Sequence, residues 1–289
     1  MNNEVLAVFE AMKKDKFTTN EEARNYIESI FKGYLKRKKN GTLYSRDDLI
    51  PQLLIGAYYT YVERLDINDV FADFKRRYIY TENQLEQVHE LKERQGLSKV
   101  YDYLQEITNF SNVNVYEILK IHKILFSKVE FPEFGGSIRK IDVYLPGSGI
   151  NLTSFEDIPK ELQSLYTWSK ELLQKGMEIS TNPESTKIIN YIDECIKLKC
   201  ALIRIHPFLD GNGRSARALL NLYFKVANIP PVYVMKSERN EYQEAMNKAI
   251  CDKEYNPDYT SINKFYYYKI CDSLVTLDLD RQKQDNIIK

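Results

Sequence analysis

Apolar residues recur at three- and four-residue spacings through most of the chain, and this period predicts an all-α protein. Helices are expected over 4–14, 20–39, 46–65, 68–78, 84–94, 98–109 and 114–127, then over 156–175. A stripe of Ile188, Ile192, Cys195, Leu198, Leu202 and Ile205 carries a further long helix, which begins at the Asn182-Pro183 cap. Others follow at 213–227, 239–251 and 258–276. Val70, Phe71 and Phe74 share one face of the 68–78 helix. In 114–127 the apolar stripe of Val115, Ile118, Leu119 and Phe126 includes His122, which reads as a packed histidine and not a ligand. Only 131–151 departs from the helical period. There Ile141, Val143 and Leu145 alternate with Asp142 and Tyr144 between Gly and Pro residues, the pattern of a short β-hairpin or extended loop. Such an exception in a helical protein is a candidate functional insertion.

Composition narrows the picture. The chain has 289 residues, enough for one large domain or two small ones, and no Pro-Gly-Ser linker or internal repeat divides it. Lys+Arg and Asp+Glu balance at 41 each, which argues against a dedicated nucleic-acid binder. The basic run Lys36-Arg37-Lys38-Lys39 reads as a helix C-terminus closed by Asn40-Gly41. The four cysteines, Cys195, Cys200, Cys251 and Cys271, form no CxxC pair and read as free thiols. The first residues lack a basic stretch followed by a long apolar run, so no signal peptide is expected, and no run reaches the roughly 18 apolar residues of a membrane helix. A soluble cytoplasmic protein is expected.

The candidate chemistry lies in one run, His206-Pro-Phe-Leu-Asp210-Gly211-Asn212-Gly213-Arg214-Ser-Ala-Arg217. Pro207 ends the preceding helix and leaves His206 at its tip, an imidazole able to act as a base near neutral pH. Phe208 is the apolar anchor of a polar loop. Asp210 offers a hard oxygen suited to Mg²⁺. Gly211-Asn212-Gly213 can aim successive N–H groups at one point, a nest for phosphate at a helix N-terminus. Arg214 and Arg217 lie on neighbouring positions of one helix face, where two cations oppose the helix dipole unless a polyanion sits there.

This run resembles the signature of the Fic family, His-x-Phe-x-Asp/Glu-Gly-Asn-Gly-Arg-x-x-Arg, at every defined position. The likeness extends over roughly 98–276 and takes in the helix around His122, the Gly136-Ser137-Ile138-Arg139 segment and the Arg239-Asn-Glu-Tyr242 helix. It implies a Fic-type helical bundle with a β-hairpin flap at about 134–151 over the active site. The core would occupy 96–289, behind an N-terminal helical region at 1–95. It further implies a protein adenylyltransferase that moves AMP from ATP, with Mg²⁺, to a Tyr, Thr or Ser hydroxyl of a target protein. His206 would be the base and Asp210 the metal ligand. Gly211, Asn212 and Gly213 would cradle the phosphates, Arg214 would hold the β-phosphate and Arg217 the γ-phosphate. The flap residues Ile141, Asp142, Val143, Tyr144 and Leu145 would hold the target as an added strand. Another donor, removal of AMP, or a non-catalytic nucleotide-binding module are the alternative readings. Self-modification and a homodimer stay open, and no nucleic-acid or membrane partner is expected.

Self-inhibited members of the family carry an inhibitory helix, Ser/Thr-x-x-x-Glu-Gly/Asn. The segment from about 72 to 83 resembles it, with Glu82 expected to pair with Arg217 and Asn83 at the helix-ending position. Tyr78 departs from the Ser/Thr of the pattern. A local alternative is that Thr81-x-x-Gln84 forms a capping box that starts the next helix.

Overall fold

The computed structural model describes residues 51, 54–58, 62, 65–145, 150–250 and 257–287. The expected helices at 4–14 and 20–39, the basic run at 36–41, most of 46–65, the 146–149 turn and Cys251 lie outside the described residues. Among the described residues the helices used below are α1 (Ile67–Leu85), α2 (Leu91–Glu106), α3 (Glu117–Leu125), α4 (Ile158–Ser164), α5 (Tyr166–Thr181), α6 (Ser185–Ile205), α7 (Asn212–Val226), α8 (Arg239–Ala249) and α9 (Thr260–Ile287). Short 3-10 turns stand at Pro132–Phe134 and Lys236–Glu238.

Helix α7 is the axis of the fold. Every one of its residues except Gly213 is buried, as expected of a helix with neighbours on all sides. Antiparallel α6 leads into it, and α1, α2, α3 and α5 pack around it. One continuous apolar core joins them, from Phe71 and Phe74 of α1 to Leu274 of α9. Buried polar groups then fix the register. Lys225 at the end of α7 donates to the carbonyls of Leu104, Gln105 and Ile107, each at 2.8 Å, and so satisfies the C-terminus of α2. Asn221 accepts from the Val232 amide at 2.9 Å and donates to the Val232 carbonyl at 3.0 Å, binding the segment after α7 back along its side.

Three expectations are corrected. No strand occurs among the described residues, so 134–145 and 150–151 form a looped flap instead of a β-hairpin. The reason is that side chains take the backbone groups a ladder would use. Arg139 donates to the carbonyls of Ile141 and Thr153, and Asp142 accepts from the Phe155 amide. Second, α1 does not stop at Asn83. It continues to Leu85, which is 3% exposed in the core, and Asn83 donates to the Ile79 carbonyl inside the helix. Third, Thr81 therefore sits within a helix, and the capping box is not used. The break falls at 86–90, where Gln87 takes a left-handed conformation (φ 58°), and the next helix starts at Leu91.

Candidate active site

The loop between α6 and α7 carries the candidate chemistry. Helix α6 ends at Ile205 and His206 caps it in the left-handed region, φ 50° and ψ 60°. Its Nδ1 lies 3.1 Å from the Ile203 carbonyl, so the proton belongs on Nδ1 and Nε2 keeps its lone pair. Burial lowers the imidazole pKa below its usual value, and the Arg139 cation lowers it further, against the opposing pull of Asp210 and Glu86. The ring is therefore a neutral base at pH 7.

Phe208 is fully buried and stacks on His122, ring centroids 3.6 Å apart. Asn212 turns its side chain inward, accepting from the Phe208 amide at 3.0 Å and donating to the Phe208 carbonyl at 2.8 Å. Its side chain closes the loop and is not available to a phosphate. Gly211 supplies the left-handed residue (φ 73°) that starts α7, and a Cβ there would stand 2.6 Å from the Phe126 ring. The first-turn amides of α7 have no acceptor within the helix, which makes an anion hole.

Carboxylates already surround that hole. Arg217 is 3% exposed and donates through Nε to Glu82 at 2.5 Å and through Nη1 to Glu86 at 2.7 Å. The second oxygen of Glu82 accepts from the buried Val234 amide at 3.1 Å. Glu86 also lies over the turn: a Cβ on Gly213 would stand 2.5 Å from its Oε1. Burial acts to raise the Glu86 pKa, but Arg217, Arg214 and Arg239 outweigh it and hold the group below the usual carboxylate range. Arg214, 1% exposed, donates to Glu93 of α2 at 2.6 Å and lies 3.5 Å from Asp210. Two donors stay without a partner in this buried setting, Arg214 Nε and Arg217 Nη2. Buried guanidinium N–H groups left unpaired beside an anion hole are what a polyanionic ligand would satisfy.

Asp210 points outward, its side chain 73% exposed. Its Oδ1 accepts from the Gly211 amide at 2.6 Å. Among the described residues no three His, Cys, Asp or Glu side chains cluster as a metal cage. A lone exposed carboxylate fits an ion such as Mg²⁺ that takes its other ligands from phosphate and water.

Beside Asp210 opens a cavity of about 630 Å³, lined by His122, Phe126, Phe131, Phe134, Ile141 and Leu209 among others. Phe131, Phe134, Ile141 and Leu209 are each about half exposed or more. On the flap, Tyr144 is 83% exposed, Val143 and Leu145 are half-buried, and Asp142 is held by Phe155 and Arg139. The structure thus gathers His206, Phe208, Asp210, Gly211, Gly213, Arg214, Arg217 and Glu82 at one place. Sequence reasoning missed Glu86, Glu93 and Arg139. Glu86 had a readable signal, four residues after Glu82 on the same helix face; Arg139 stood in the Gly136–Arg139 segment of the family likeness without a role assigned to it, and Glu93 had no signal.

Residues 112–224 match the model of the Fic/DOC family. A protein named "Protein adenylyltransferase Fic" from Nematostella vectensis is 30% identical over 156 residues, 53% of this chain and 33% of that protein. "Protein adenylyltransferase fic-1" from Caenorhabditis elegans is 30% identical over 137 residues, 47% of this chain and 24% of its own. The chain thus spans a quarter to a third of the length of these curated relatives. A crystal structure of a Fic-domain-containing signalling protein from Bacteroides thetaiotaomicron shares the fold at a TM-score of 0.61 and 18% identity, over 81% of this chain and 98% of that one. A solved Fic-1 fragment from C. elegans gives a TM-score of 0.62 at 19% identity, over 99% of this chain and 85% of the fragment. Below 25% identity these structures speak to the fold alone.

Proposed function

Taking as premise that residues 112–224 are a Fic/DOC-family domain, we propose that the protein transfers AMP from ATP to a hydroxyl of a target protein and is held in check by its own carboxylates. The observation that carries this reading is a neutral imidazole, its Nε2 free, beside an anion hole flanked by two buried arginines with unpaired N–H groups. The relatives named above as adenylyltransferases support the same reaction.

In the proposed transfer, His206 Nε2 takes the proton of the target hydroxyl as its oxygen bonds to the α-phosphorus. The bond from that phosphorus to the β-bridging oxygen breaks, and pyrophosphate leaves. The α7 first-turn amides bind the non-bridging oxygens, Arg214 the β-phosphate and Arg217 the γ-phosphate. Positioning and charge stabilisation supply most of the rate in phosphoryl chemistry. Asp210 would hold Mg²⁺, which when bound neutralises phosphate charge. The exposed flap at 141–145 receives the target segment. Residues 1–95 serve regulation and 96–289 catalysis. The free thiols Cys195, Cys200 and Cys271 fit a reducing, cytoplasmic setting.

The brake is electrostatic. Glu82 and Glu86 fill Arg217, and Glu93 fills Arg214, so the polyphosphate must displace carboxylates to bind. The test is peptide mass mapping of the Glu82→Gly variant after incubation with ATP and Mg²⁺, alone and with cell extract. AMP esterified to a Ser, Thr or Tyr hydroxyl supports the reading. ATP consumed with no AMP-modified peptide in either sample refutes it.

A further inference from the structure

Two polar side chains outside the 206–217 run grip its backbone, one from α3 against the flap base and one from the flap itself. His122 of α3 is 3% exposed. The Gly136 amide donates to its Nδ1 at 2.8 Å. With Nδ1 accepting, the ring proton lies on Nε2, which donates to the Asp210 carbonyl at 3.0 Å. One neutral ring therefore joins the flap base to the residue that carries the candidate metal ligand. Gly136 is left-handed (φ 80°), and a Cβ there would stand 2.9 Å from the Leu119 carbonyl, so this turn is seated directly on α3.

Arg139 is the second grip. Its backbone amide donates to the Pro207 carbonyl at 2.9 Å and its Nε to the His206 carbonyl at 2.8 Å. Its two terminal nitrogens reach the other way, to the carbonyls of Ile141 in the flap and of Thr153 just after it. His206 holds a left-handed backbone that a non-glycine residue keeps only when its surroundings impose it. The guanidinium on its carbonyl is one such constraint. A buried neutral imidazole needs a donor and an acceptor partner wherever it sits; what matters here is which groups they are. Here both ring nitrogens, and three guanidinium nitrogens, are shared between the flap and the backbone of the two residues that flank the transfer.

Resting on the adenylyl-transfer reading, we propose that His122 and Arg139 are positioning residues that clasp the flap base to the catalytic loop, so that target hydroxyl, base and Asp210 meet in one geometry. The flap at 141–145 and the loop at 206–210 then move as one body.

The experiment uses the full chain carrying Glu82→Gly as parent, with His122→Phe, His122→Gln and Arg139→Lys added singly. Phenylalanine keeps the stack on Phe208 and removes both hydrogen bonds; glutamine keeps a donor and an acceptor; lysine keeps the buried charge but cannot bridge. Amide hydrogen exchange is read without nucleotide, and ATP binding and kcat are read separately. His122→Phe is expected to expose the Gly136 amide and to loosen 134–139 and 206–213 together. In the same variant kcat should fall roughly ten- to a hundredfold while the Kd for ATP stays within about twofold. His122→Gln should recover most of the loss, and Arg139→Lys should repeat it. Unchanged exchange, loosening of one segment only, or an unchanged kcat overturns the clasp. If the parent transfers nothing, the adenylyl-transfer reading fails by itself. Joint loosening of the two segments would then still support the clasp, and independent loosening would still overturn it.

Discussion

Glu82 should stabilise the resting protein while opposing its activity, so removing it moves stability and ATP affinity in opposite directions. The pair it makes with Arg217 is buried on both sides, 2% and 3% exposed, at 2.5 Å. Removing one member of such a pair leaves an uncompensated charge, at a cost of about 3–5 kcal/mol. Glu86, still 2.7 Å from the same arginine, offsets part of this. The Val234 amide loses its acceptor, which costs about 1–3 kcal/mol when no water replaces it. Glycine inside α1 costs about 1 kcal/mol more, a contribution that Glu82→Ala avoids. A loss of about 3–6 kcal/mol is therefore expected for Glu82→Gly without nucleotide, and somewhat less for Glu82→Ala. Urea unfolding at pH 7 measures it. ATP with Mg²⁺ at a hundredfold over the variants' Kd should return about 2.7 kcal/mol to the variants and little to the wild type at the same concentration, because its arginines are occupied. Variants as stable as the wild type, or no more stabilised by ATP, would refute the view that Glu82 stands in for a phosphate.

Three further outcomes follow from the same geometry. Adding Glu86→Ala to Glu82→Gly should tighten ATP binding beyond the single variant by calorimetry, because Glu86 covers the Gly213 turn and holds Arg217. Because His206 must be neutral and burial lowers its pKa, kcat/KM should be level above about pH 6.5 and fall on an acid limb below it; Arg139→Gln, which removes a neighbouring cation, should move that limb to higher pH. Burial also pushes His122 down to about 4. Its folded value lies below the unfolded value near 6.5, so its contribution is complete above about pH 6.5 and lost as pH falls toward 4, about 3 kcal/mol in all. Urea unfolding between those pH values should show a shallower acid loss in His122→Gln.

The 206–217 run was legible because its chemistry is contiguous: base, carboxylate, glycine turn and arginines follow one another on a loop and one helix turn. The helical class was legible from the apolar period, and Arg217 with Glu82 only through the family pattern, since 135 positions separate them. What stayed hidden depends on long-range contacts. Ile141, Val143 and Leu145 alternate as a strand does, but Arg139 and Asp142 claim the surrounding backbone groups. The Thr81 capping box is locally sound and worth about 1 kcal/mol, less than the burial of Leu85, about 1.5–3 kcal/mol, which draws α1 onward. Glu93 is one of three carboxylates on an amphipathic helix, and only the packing of α2 on α7 brings it to Arg214. His122 read as a packed residue; it is packed, and both of its nitrogens are also bonded.

The central claim is that this site moves the α-phosphoryl group of ATP under the control of Glu82 and with His206 as base. Parallel incubations with α-labelled and γ-labelled ATP and Mg²⁺ test it most directly, using wild type, Glu82→Gly and Glu82→Gly with His206→Ala, each with cell extract as target. Label on protein from the α-position only, weak in the wild type, strong in Glu82→Gly and lost with His206→Ala, is the expected result. Label from the γ-position, or from neither in the folded Glu82→Gly protein, would contradict it.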